Sequence, residues 1–147
     1  PRVASLLRCF KDAQLEPVWC EDIEQGLWIK LLLNIAINPL AAISGQENGE
    51  ILKSESLLEQ AIAIMDEGRK VAIAEGITIE SEEMIGRLLQ VLESTANNRC
   101  SMLQDIMAGR RTEIDSLCGE GVRRAEKHGI PTPLNLQLMS LVSAIER

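Results

Sequence analysis

The chain has no tyrosine, one phenylalanine, two tryptophans and a single histidine in 147 residues. With so little aromatic area, its core must be aliphatic. Among the cysteines Cys9, Cys20, Cys100 and Cys118 there is no CxxC pair and no metal-ligand spacing. The expectation is four free thiols in a reducing cytoplasm, with no bound metal. No signal peptide is expected. The chain is acidic, with a formal charge of -7 and its basic residues scattered. That pattern argues against nucleic acid or an anionic membrane as partner. The glycine-rich GxGxxG signature of a dinucleotide-binding turn does not occur.

What is present in abundance is Ala, Leu, Ile, Met and Glu, all good helix formers. Residues 1–14 place Val3, Leu6, Leu7 and Phe10 at helical spacing. LEPVWC (15–20) reads as a short extended segment, because Pro17 disfavours a helix there. A lone strand without partners is not a complete domain. Together with the opening PRVASLLRCF, which has no initiator Met, it suggests a piece of something longer.

A long helix is expected from Glu21 to about Ile43, kinked or ended near Asn38 by Pro39. SGQENGE (44–50) reads as a loop. Ser54 or Ser56 opens the next helix, with Ser56 and Glu59 fitting a capping box and Gly76 a stop. Ser81 is the expected N-cap of a helix to about Ala96. A short helix follows at 100–109, then one at 113–129 closed by Gly129. Thr132-Pro133 would start the last helix, with Thr132 as N-cap. The sum is an all-α fold of about six helices. Trp19 and Trp28 are expected in the core; His128 and the Arg123-Arg124 pair are expected at the surface.

The stretch WIKLLLNIAINPLAAI (28–43) is nearly all apolar yet carries Lys30, Asn34 and Asn38 at i, i+4 and i+8. At 100° per residue these three form one stripe. Buried amides and an unpaired lysine are costly in an apolar setting. The stripe is therefore either the wet side of an amphipathic helix or a face turned toward a polar cleft. A half-buried lysine there would suit a proton donor. The apolar run is the most membrane-like segment, but a lysine, two asparagines and a proline argue against a spanning helix. A second polar cluster, NNRCSMLQDIMAGRRTEID (97–115), sets Ser101 at a helix start, where free N–H groups favour anions, and Glu113 after two arginines.

Three blocks carry a resemblance. LWIKLLLNIAINPLAAI (27–43) is similar to W-x-K-x-x-x-N-x-x-x-N-x-L. ENGE (47–50) follows in the next turn. CSMLQDIMAGRRTEIDSLCG (100–119) is similar to S-S-M-x-x-D-x-x-x-x-R-x-T-E-I-D-x-x-x-G, and HGIPTPLN (128–135) closes the match. In this order the blocks resemble the C-terminal helical domain of the ketopantoate reductase (2-dehydropantoate 2-reductase) family.

The resemblance implies an all-α domain of the 6-phosphogluconate-dehydrogenase-like type at 21–147. Residues 1–20 would be the tail end of an N-terminal Rossmann domain that holds NADPH and is otherwise absent. It implies NADPH-dependent reduction of 2-dehydropantoate to pantoate in pantothenate and coenzyme A biosynthesis, in the cytoplasm. Lys30 would protonate the ketone oxygen. Glu113 would lie near Lys30 and the cofactor, and Asn34, Asn38, Asn48 and Ser101 would hold the substrate. Cys100 departs from the pattern, which has serine there. Asp105, Thr112 and Asp115 would bond within the fold. The partners implied are a small 2-oxo acid and the chain's own Rossmann domain, with a homodimer as an option. A reductase of another 2-oxo acid and a non-catalytic helical dimerisation module are the alternatives. Without its Rossmann domain the piece would be inactive.

Overall fold

The computed structural model describes residues 2–16 and 21–146. Those residues form eight α-helices and one π-helical turn, and no strand occurs among them. Helix α1 (Arg2–Asp12) stands with Val3, Leu6 and Phe10 exposed. The extended segment expected at 15–20, with Trp19, lies for the most part outside the described residues; Leu15 and Glu16 take no regular structure.

Helix α2 (Ile23–Ser44) is the axis of the domain. Asp22 caps it, accepting the Gln25 N–H at 3.0 Å, and Gly45 ends it in the left-handed region at φ 68°. Pro39 does not end it: the helix runs on through Ala42 to Ser44. Pro39 is fully buried, and packing of the residues around it outweighs the missing hydrogen bond. The helix is long and apolar enough to cross a bilayer, but 56% of that apolar stretch is buried inside the fold. Around α2 pack α3 (Asn48–Lys53), α4 (Glu55–Ala74), α5 (Ser81–Ser94), α6 (Ser101–Met107) and α8 (Pro133–Ile145). The core is aliphatic, as the composition requires, with Leu32, Ile51, Ile64, Met84, Leu88 and Met102 fully buried. Each such side chain contributes about 1.5–3 kcal/mol by leaving water. Helices α2 and α4 approach closely at Gly68, where a Cβ would come within 2.6 Å of Ile35 Cδ1.

Several caps differ from expectation. The expected loop at 44–50 shrinks to 45–47, because Asn48 already opens α3. Ser54 caps α4, accepting the Leu57 N–H, so the Ser56–Glu59 capping box does not form and Ser56 is inside the helix. Ser81 is the first residue of α5 rather than its cap; Glu80 precedes it without a side-chain cap bond. The expected helix 113–129 is a π-helical turn, Asp115–Gly119, followed by α7 (Glu120–His128). A Cβ at Gly119 would sit 2.5 Å from Asp115 Oδ1, so the wider turn is closed by a residue without one. Gly76, Gly109 and Gly129 stop their helices in the left-handed region, as placed by the sequence.

Thr132 makes no cap bond to α8. That role falls to Glu67 of α4, whose carboxylate accepts the Leu134 and Asn135 backbone N–H groups at 3.0 Å each. A full charge at the helix N-terminus outcompetes a hydroxyl, since it meets both the free N–H groups and the helix dipole.

Candidate active-site wall

Helix geometry sets Lys30, Asn34 and Asn38 in one row about 12 Å long at 1.5 Å per residue. The row passes from solvent into the fold. Lys30 is exposed, Asn34 half-buried and Asn38 buried. Among the described residues the Lys30 ammonium makes no hydrogen bond or ion pair, and the Asn34 amide makes none. Of the two placements the sequence left open, Lys30 takes the solvent-exposed one, because it lies one turn outside the packed middle of α2.

At the buried end, three elements converge. Glu113 Oε1 accepts the Ser101 hydroxyl at 2.8 Å and, at a longer 3.5 Å, the Asn38 amide Nδ2. Asn38 comes from α2, Ser101 from the first turn of α6, and Glu113 from the segment between α6 and the π-helical turn. The cap of α6 is Cys100, one residue earlier than Ser101: its sulfur accepts the Leu103 N–H at 3.4 Å, and its S–H points to the Asn38 carbonyl at 3.6 Å. A capping sulfur frees the Ser101 hydroxyl to reach Glu113. Burial pushes the Cys100 thiol up, and the nearby Glu113 carboxylate adds to it.

Asn48 stands apart from this cluster. It is buried in the first turn of α3, with Nδ2 donating to Thr95 Oγ1 at 3.0 Å. Its Oδ1 is buried with no partner among the described residues. Asp105, Thr112 and Asp115 bond within the fold. Asp105 pairs with Arg110 at 2.7 Å, Asp115 with Arg123 at 3.0 Å, and Thr112 with Glu146. Arg124, expected at the surface, is half-buried: it ties α7 to Glu75, pairs with Glu120 within the helix and lies 5.8 Å from the Trp28 ring centroid. His128 is at the surface, paired with Glu75 at 2.8 Å. Among the described residues no three His, Cys, Asp or Glu side chains are placed to hold a metal ion.

Sequence reasoning missed Glu67 and Glu146. Each bonds a segment more than thirty residues away, and no local pattern marks such a carboxylate.

Fold and side chains together define an all-helical domain with one polar wall that opens to solvent at Lys30. Residues 22–146 match the family described as ketopantoate reductase PanE/ApbA C terminal, and the chain belongs to that family. A 2-dehydropantoate 2-reductase from Archaeoglobus fulgidus is 39% identical over 144 residues, covering 98% of this chain and 47% of the relative. A crystal structure of a PanE/ApbA family ketopantoate reductase from Ralstonia eutropha superposes with a TM-score of 0.89 at 34% identity, over 97% of this chain and 48% of that one. The ternary structure of D-mandelate dehydrogenase with NADH and anilino(oxo)acetate gives 0.90 at 28% identity, over 97% and 59%. The chain spans about half the length of the relatives it matches.

Proposed function

We propose that the chain is the substrate-side half of an NADPH-dependent 2-dehydropantoate 2-reductase. In this reading residues 1–20 belong to the nucleotide-binding half, and the exposed apolar side of α1 packs there. The observation that carries the reading is the convergence of Asn38 and Ser101 on Glu113 at the inner end of the row that begins with Lys30. A scaffold helix needs no such set, and the family match covers all four residues.

The chain itself offers no glycine-rich phosphate loop, so the fit to a dinucleotide is partial. Its donors suit the acid side of a carbonyl reduction, not the grip on phosphates. A nicotinamide cofactor, held by the other half, supplies the hydride. Lys30 then gives its proton to the ketone oxygen as negative charge develops there, turning the carbonyl into an alcohol. Being exposed, Lys30 regains a proton from water. Asn34 and Asn38 donate and accept along the substrate, and Ser101 holds its carboxylate or hydroxyl. Glu113, with Oε1 engaged, has Oε2 left for a substrate hydroxyl or the Lys30 side chain, and in this reading it also faces the cofactor. Asn48 joins the substrate if its buried amide turns outward.

The test is NADPH oxidation by the full-length enzyme with 2-dehydropantoate beside other 2-oxo acids. A clear preference for 2-dehydropantoate is expected. Lys30→Ala should lower turnover by orders of magnitude without changing the folded state; survival within a few-fold removes the lysine from the mechanism. The likeness to D-mandelate dehydrogenase favours one second reading, a reductase of another 2-oxo acid. Activity confined to such an acid would establish it.

A further inference from the structure

Glu113 is the residue on which the inner end of the wall converges, yet its own position is set by the residue before it. The Thr112 backbone N–H donates to Glu146 Oε1 at 2.9 Å, and the Thr112 hydroxyl donates to the same oxygen. Thr112 Oγ1 in turn accepts the Ile114 N–H at 3.2 Å. The peptide unit before Thr112 is thereby tied directly, and the one after Glu113 through the Thr112 hydroxyl, to one carboxylate 34 positions from Thr112 along the chain. Glu146 is not a free tether. Its N–H bonds to the Val142 carbonyl at 3.1 Å and closes the end of α8. The other end of α8 is held by Glu67. Helix α8 is thus a strut pinned at both ends, and its last turn grips the segment that carries Glu113.

We propose that Glu146 and Thr112 are positioning residues for Glu113, holding its carboxylate where it meets Ser101, Asn38 and the reacting groups. The inference rests on the catalytic reading of Glu113 given above. Without the grip, the connection from Gly109 to Glu113 is held by the Arg110–Asp105 pair and by the Ser101 and Asn38 bonds to the Glu113 carboxylate itself, with nothing fixing the backbone between them to α8. A displacement of the carboxylate by an ångström is then enough to cost turnover while the substrate still binds.

The experiment uses the full-length enzyme and compares Glu113→Gln, Thr112→Val, Thr112→Ser, Glu146→Ala and the double variant Thr112→Val/Glu146→Ala. Glu146→Ala is expected to lower kcat by roughly ten- to a hundredfold, with KM for the oxo acid changed far less. Thr112→Val, which keeps the backbone bond, should lose less. Thr112→Ser, which keeps the hydroxyl, should recover most of the loss. The double variant should fall by less than the sum of the two single losses, since both remove the same contact and only the Ile114 bond is separate. An unchanged kcat in Glu146→Ala, with only a lowered melting temperature, would overturn the proposal and leave the contact a structural tie. Additive losses in the double variant would overturn it too. If Glu113→Gln is itself fully active, the catalytic reading of Glu113 fails and this inference fails with it.

Discussion

Glu67 and Asn135 form a buried joint between α4 and α8. Glu67 Oε2 accepts the Asn135 backbone N–H at 3.0 Å and its side-chain Nδ2 at 2.9 Å. The same Nδ2 also reaches the Ile64 carbonyl at 3.2 Å. Both residues are buried. Removing the carboxylate strands several donors where water cannot reach them. Glu67→Ala should destabilise the domain by about 2–4 kcal/mol, read as a lower midpoint in urea denaturation. Glu67→Gln should also destabilise, because its NH2 group faces donors. A loss below measurement error in both variants would mean that Thr132 can take over the cap.

Gly49 is a matter of space rather than of backbone conformation. A Cβ there would lie 2.8 Å from Ala96 Cβ and 2.9 Å from its carbonyl oxygen. The neighbour is mostly backbone and cannot give way cheaply. Gly49→Ala should cost about 1–3 kcal/mol through overpacking. It should also weaken the bonds from the Asn48 and Gly49 N–H groups to Asn98 and Ala96, now at 3.0 Å each. Thermal denaturation measures the first effect, and amide exchange at Asn48 the second.

The thiols divide by burial. Burial, with a smaller contribution from the Glu67 carboxylate, pushes the Cys118 thiol up to about 12. Cys100 is raised in the same direction, while Cys9 is exposed. The thiolate is the reactive form. At mildly alkaline pH, iodoacetamide should therefore modify Cys9 rapidly and leave Cys100 and Cys118 intact until denaturant is added. Peptide mapping gives the order, and rapid native labelling of Cys118 would contradict its placement.

The Glu75 carboxylate joins α4 to α7 through His128 and Arg124, each at 2.8 Å. The His128 hydrogen bond, with the Arg124 charge, holds its carboxyl below the usual 4.5. The unfolded chain then takes up this proton first as pH falls. The contribution of Glu75 is complete above 4.5 and is lost as pH falls from there through the lowered value. In Glu75→Gln the amide keeps hydrogen bonds but cannot titrate. Its melting temperature should fall less steeply with acid over that window than the parent's. Parallel curves would show that the pair is screened by solvent.

The helices were largely legible because their signals are local. Apolar spacing marked the long helices, and glycines at 76, 109 and 129 marked their ends. The row of Lys30, Asn34 and Asn38 was visible for the same reason, as fixed angles within one helix. What escaped were choices among near-equal local options. Ser54 won the cap of α4 over Ser56, and Cys100 rather than its neighbour capped α6. Pro39, a local stop signal, was overridden by burial of the residues around it.

By itself, the sequence determined an aliphatic, all-helical domain, the polar stripe on its most apolar helix, and a set of blocks that resemble one enzyme family. Those are properties of composition, period and order along the chain. Only the tertiary structure decided that Glu113 meets Ser101 and Asn38, that Lys30 stays in solvent, and that Glu67 and Glu146 hold the two ends of α8. A carboxylate finds donors by position in space, and any of the many acidic residues here could have reached them. Burial of the core sets that position, and it depends on every helix at once.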